Sequence, residues 1–172
     1  MRSIVLLAIS LLFTANAAAS EASPEEVACR YTELFYSGKA REAFALRDPS
    51  EFKLERKSTE SIVRSNAKAR AVLFEDKTDA QLDELSDVDY ISLYWTRFFA
   101  EAASKAGASV PLPAHAKALG AVNDGSDVRF VVCKLVVELG GKTTETVDLV
   151  RVVKAGSEWR VGLPAGLTAI GP

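Results

Sequence analysis

SDVRFVVCKLVVELGGKTTETVDLVRVVKAGSEWRVG, residues 126–162, is the stretch on which the fold turns. Apolar and β-branched residues fill three runs in it, Asp127 to Leu139, Lys142 to Lys154 and Glu158 to Gly162, each long enough for a strand. Gly140-Gly141 separates the first two and Ala155-Gly156-Ser157 the last two, and both compositions suit tight hairpin turns. By alternation Val131, Cys133, Leu135 and Val137 share one face of the first strand, and Val128, Phe130, Val132 and Val136 the other. Such a sheet is expected to be covered on one face and partly shielded on the other. The second run changes phase between Val147-Leu149 and Val150-Val152, which predicts a bulge and a curved sheet. Upstream, Ala116 to Val122 is expected to add a short strand, turned by Asn123-Asp124-Gly125 into the first long one.

The cover for this sheet lies earlier in the chain. Ser23-Pro24-Glu25-Glu26 is a capping box with proline in the first turn, and Val27, Ala28, Tyr31, Leu34 and Phe35 follow at helical spacing up to Ser37-Gly38. A second short helix is expected over Lys39 to Leu46, stopped by Arg47-Asp48-Pro49. Ile62, Val63, Ala67, Ala71 and Phe74 line one side of a helix predicted from about Thr59 to Phe74. Thr78 to Gln81 forms another capping box, leading into a turn of helix through Leu85. Ser86-Asp87-Val88-Asp89 then caps a long aromatic helix carrying Ile91, Tyr94, Trp95, Phe98, Phe99 and Ala102, closed by Gly107. The fold class is therefore α+β, with N-terminal helices packed on a curved C-terminal antiparallel sheet of about four strands.

At 172 residues, 48% of them apolar and 26% charged, the chain suits one domain with a core of its own. Its start differs from the rest. Met1-Arg2, the apolar run Ile4 to Phe13, and Ala15-Asn16-Ala17 or Ala17-Ala18-Ala19 make the basic start, apolar core and small-x-small site of an export signal. Residues 1–19 are expected to be removed, leaving a single domain over 20–172, exported to the periplasm or beyond, with no membrane span. Removal takes Arg2 alone, leaving 20 basic against 23 acidic residues and a net charge of −3. Without clustered Lys and Arg, nucleic acid is not an expected partner. Cys29 and Cys133 are the only cysteines. They are candidates for a disulfide in an oxidising compartment. The helical wheel, however, places Cys29 away from the Val27, Tyr31 and Leu34 face, which favours two buried free thiols.

The order of elements resembles the nuclear transport factor 2-like cone fold, in particular its small exported bacterial members of unknown function. The resemblance rests on Ser23 to Leu46, similar to the family's opening helix, small-Gly link and Ala-rich helix, and on the closing Gly156-Ser157-Glu158-Trp159-Arg160-Val161. It implies a bent sheet wrapped around the first helix, a pocket between helices and concave face, and dimerisation through the sheet. It implies no single activity: enzymatic relatives such as ketosteroid isomerases, dehydratases and polyketide cyclases place Asp, His or Tyr groups inside the cone.

Acid–base candidates are Asp87, Asp89 and Tyr90 at the start of the aromatic helix, where the helix dipole alone favours carboxylates, and His115, the only histidine, expected in a loop between Pro113 and Lys117. Candidates for ligand contact are Tyr94, Trp95 and Phe98 of the aromatic stripe, together with Lys134 and Arg151 in the strands, with Asp148 nearby. Alternation puts Lys134 opposite Cys133 and Leu135, on the outer face. His115, Cys29 and Cys133 lack metal-ligand spacing, and no phosphate loop or nucleophile elbow is present, so neither metal nor cofactor is expected. The function that follows is a non-enzymatic exported domain binding a small apolar ligand or a protein through its cone or sheet. An isomerase- or cyclase-type enzyme with an acid–base site in the cone, and an immunity or inhibitor-like interaction protein, are the alternatives.

Overall fold

Six α-helices precede four strands in the computed structural model, which describes residues 22–163 apart from 75. The export signal expected over residues 1–19 lies outside the described residues. None of the described helices is long and apolar enough to cross a membrane.

The strands are β1 (Ala114–Asn123), β2 (Val128–Leu139), β3 (Lys142–Ala155) and β4 (Glu158–Val161), paired in chain order as one antiparallel meander. Gly140 and Gly141 both take positive φ, and Leu139 pairs with Lys142 across them. This is the two-residue hairpin whose twist matches its strands. Gly140 has a second reason to lack a side chain, since a Cβ there would lie 2.5 Å from the Ala106 carbonyl oxygen. The register of β2 on β3 runs unbroken from Val128↔Val153 to Leu139↔Lys142, so the bulge expected in β3 is absent. The irregularity sits in β1 instead, between Ala118 and Gly120. Val147 and Leu149 do not switch faces; they are apolar residues left exposed on the outer side, 61% and 57% accessible. An apolar outer residue mimics a change of phase when only the sequence is read.

The helices are α1 (Pro24–Tyr36), α2 (Ala40–Phe44), α3 (Phe52–Ser65), α4 (Ala67–Phe74), α5 (Asp79–Asp83) and α6 (Asp87–Lys105). Both expected capping boxes form, Ser23 with Glu26 and Thr78 with Gln81, and the Ser86 hydroxyl accepts from the Asp89 amide. The helix predicted from Thr59 to Phe74 is two helices, the first starting seven residues earlier. Asp48 accepts from the Ser50 amide ahead of a 3-10 turn over Pro49–Glu51 that runs into α3. Asn66 takes extended backbone angles that end α3, and its side-chain oxygen accepts from the Ala69 amide, which opens α4.

Helix α1 is the centre of the molecule because it is buried on two sides. Val27 and Ala28 pack with Val131, Cys133, Val150, Val152 and Val161 of the sheet. Leu34 joins Ala43, Phe44, Phe52, Val63, Phe74, Tyr90 and Ile91 of the other helices, and Tyr31 touches both clusters. The expected α+β architecture, helices over one face of a C-terminal meander, is thus the observed one. The far edge of the sheet is closed by main chain, with the Asp48 amide donating to Val161 and the Val161 amide to Leu46, at 3.0 and 2.9 Å.

Candidate functional site

The short segment that closes that edge also brings Arg47 inside. Its backbone bridges Val161, and its side chain is 4% exposed, sandwiched between the rings of Phe44 and Phe52 at 5.1 and 4.7 Å from their centroids. Its Nη1 pairs with Glu55 Oε2 at 2.5 Å, and Nη2 has no acceptor among the described residues. Glu55, one turn into α3, uses its other oxygen to accept from Trp95 Nε1 at 3.1 Å. One ion pair therefore links the α2–α3 connection, α3 and α6.

Beside it lies a cavity of about 230 Å³ between α1, α3, α6 and the inner side of β3. Tyr31, Phe35, Tyr36 and Trp95 supply aromatic walls, Arg47, Glu55 and Asp148 polar groups, and Arg151, Gly162 and Leu163 close one end. Asp148 faces inward for a simple reason of parity: it pairs with buried Cys133 and shares its side of β3 with Val150 and Val152. Burial raises its carboxyl from its ordinary value, with the Leu149 amide opposing. Burial likewise raises the phenols of Tyr31 and Tyr36; at Tyr31 the Arg47 cation opposes it, and the Asp148 charge adds to both. The hollow thus combines aromatic walls with a carboxyl and two phenols held toward their neutral forms.

The Asp148 shift has a sign that can be tested. A carboxyl whose proton is held more tightly in the folded state contributes stability below the unfolded value of ~3.9, and that contribution is lost as pH rises through the folded value. Asp148→Asn is therefore expected to be more stable than the parent at neutral pH, with the gain fading as pH falls toward about 4. Urea unfolding of both proteins across pH 4–8 measures this; a gain that grows on acidification contradicts the buried placement.

The residues singled out in the sequence divide sharply. Trp95 and Arg151 line the cavity, the latter pairing with Glu51 at 3.1 Å. Tyr94 and Phe98 do not line it: they stack on each other along α6, and Phe98 is 43% exposed. Lys134 lies on the outer face, as its alternation indicates, and pairs with Glu145 at 2.7 Å. None of the acid–base candidates reaches the cavity. Asp87 accepts from Arg56 Nη1 at 3.2 Å, while Asp89 donates its amide to the Ser86 cap of α6, accepts from the Ser86 hydroxyl and pairs with Arg41 at 2.9 Å. Tyr90 is buried against Phe74, with the Arg56 guanidinium over its ring at 4.9 Å. His115 is not in a loop but in β1, opposite Val136 and exposed, because the strand begins two residues before the expected start.

Arg47, Glu55 and Tyr36 were not singled out. Arg47 stood in the sequence only as part of a helix stop, and Glu55 as one charge among many. No spacing marks these three; parity marks only Asp148, which shares its phase in β3 with Val150 and Val152, on the face opposite the helices. Cys29 also departs from expectation, since it packs toward the sheet. The wheel face of Val27, Tyr31 and Leu34 in fact spans both contacts, Val27 meeting the sheet and Leu34 the helices, so the sheet-facing side extends further round α1 than that face, as far as Cys29.

No family model matches the chain, and no curated protein matches it. Among solved structures the chain is similar to a protein of Campylobacter jejuni described as a "Putative NTF2-like transpeptidase", with 17% identity, a TM-score of 0.45, and coverage of 83% of this chain and 100% of that one.

Proposed function

We propose that this domain binds a small, mostly apolar, ring-bearing ligand in the cavity between α1, α3, α6 and β3. The observation that carries the reading is the cavity itself, aromatic on its walls and furnished with the buried Arg47–Glu55 pair and the inward Asp148. Its volume corresponds to the liquid share of roughly seven or eight waters, which suits a single ring with one polar substituent. The same proposal places the protein beyond a membrane, supported by the basic start, apolar run and small-x-small pattern of residues 1–19.

The test is thermal unfolding of the full chain with phenylacetate, cyclohexanone and indole. A ligand at a hundred times its Kd stabilises by about 2.7 kcal/mol, a rise in Tm of several degrees for a domain of this size. At least one of the three is expected to give it in the parent and to lose most of it in Tyr36→Ala. No shift with any of them, or the same shift in the variant, overturns the reading.

One observation favours a second reading, an acid–base enzyme. Asp148, its proton affinity raised, shares the cavity with two phenols, an arrangement suited to moving a proton on a bound carbonyl compound. Exchange of that ligand's acidic C–H hydrogens for deuterium, abolished in Asp148→Asn while binding persists, distinguishes it from binding alone.

A further inference from the structure

We propose that Cys29 and Cys133 form a disulfide that ties α1 to β2 and fixes the helix against the inner face of the sheet. The two cysteines of the chain, 104 residues apart, meet across the helix–sheet interface with their Sγ atoms 3.6 Å apart, both as free thiols. Closing that gap to a bond of about 2.05 Å asks for roughly 1.5 Å, a movement within reach of small rotations of the two side chains. The contact is not required for packing. Cys133 alone fills its place among Val131, Val150 and Val152, whereas Cys29 lies at the margin of that cluster and is partly exposed.

The exposure difference sets the order of events. Cys133 is fully buried, and burial, with Cys29 beside it, pushes its thiol up to about 12. An external disulfide, such as oxidised glutathione or the disulfide of an oxidase, is therefore met by Cys29. The Cys29 thiol loses its proton to solvent and attacks; a mixed disulfide forms, and the first external thiolate leaves and takes up a proton. Cys133 then loses its proton and attacks Cys29 Sγ. The mixed bond breaks, the protein disulfide forms, and the second external thiolate departs and is protonated. Two cysteines are oxidised and one external disulfide is reduced to two thiols. The cross-link closes a loop of about a hundred residues, near the top of the range over which such links stabilise. It also pins the helix that carries Tyr31, Phe35 and Tyr36.

The proposal stands apart from the ligand reading and is tested on the full chain alone. After treatment with oxidised glutathione the protein is denatured, alkylated and weighed. The expected result is no alkylation and no retained glutathione, with a Tm roughly 10 to 15 °C above that of the dithiothreitol-reduced protein. Cys29→Ser, a change at a partly exposed position, is expected to show no dependence on reductant. Two alkylated cysteines, glutathione retained on Cys29, or equal Tm values with and without reductant in the parent each overturn the cross-link.

Discussion

Replacing Glu55 with alanine is expected to lower the free energy of unfolding by about 3–5 kcal/mol, far more than the loss of a carboxylate usually costs. The reason is what remains. Arg47 is 4% exposed and held between two phenyl rings, and Glu55 supplies its paired carboxylate. Removing that carboxylate leaves a buried cation without its partner and the Trp95 indole N–H without its acceptor. Since the cost comes from stranding the charge, the double variant Arg47→Met, Glu55→Leu is expected to recover most of it. Urea unfolding with an unchanged m value reads both effects. A loss under 1 kcal/mol in Glu55→Ala would show that water reaches the guanidinium.

Phe44→Ala is the second large effect, again about 3–5 kcal/mol, this time from a cavity. Phe44 is 2% exposed, and its ring meets those of Phe35 and Phe52, at 6.0 and 5.6 Å, as well as the Arg47 guanidinium. It is the plug where α1, α2 and α3 converge. Phe98→Ala, at a residue 43% exposed, is expected to cost well under half as much, and equal losses would contradict the division between core and surface aromatics. Because Phe44 stacks on Arg47, its loss and that of Glu55 are expected to be non-additive, with a coupling of roughly 0.5–3 kcal/mol in a double-mutant cycle.

The parts of this fold that the sequence disclosed are those decided within a few residues. Gly140-Gly141 demands a hairpin wherever it falls between two apolar runs, and Ser23-Pro24 with Glu26 starts a helix whatever that helix later touches. Strand ends came within one or two residues for the same reason. Errors arose where a second partner intervened. Asn66 interrupts an apolar stripe that spacing alone reads as continuous, and Cys29 faces a side of α1 that matters only once both sheet and helices are in place. The cavity was the least legible feature. Its polar groups come from the α2–α3 connection, α3 and β3, and no spacing in the chain announces that Arg47, Glu55 and Asp148 will converge. The stripe that looked most like a binding wall, Tyr94 to Phe98, spends one residue, Trp95, on the cavity and leaves the others to pack on one another.

The main-chain bonds from Leu46 and Asp48 to Val161 bear on how copies of this chain can add to one another. Growth of a fibril by strand addition needs two receptive borders per molecule, one to accept a neighbour and one to be accepted. Here β4 is four residues long and already occupied at Val161, while β1, ten residues long, has no strand on its outer side among the described residues. At β1 the Glu33 carboxylate accepts from the Ala116 amide at 2.9 Å, so an incoming strand would first have to displace that side chain, and among the described residues neither border stands fully open to addition.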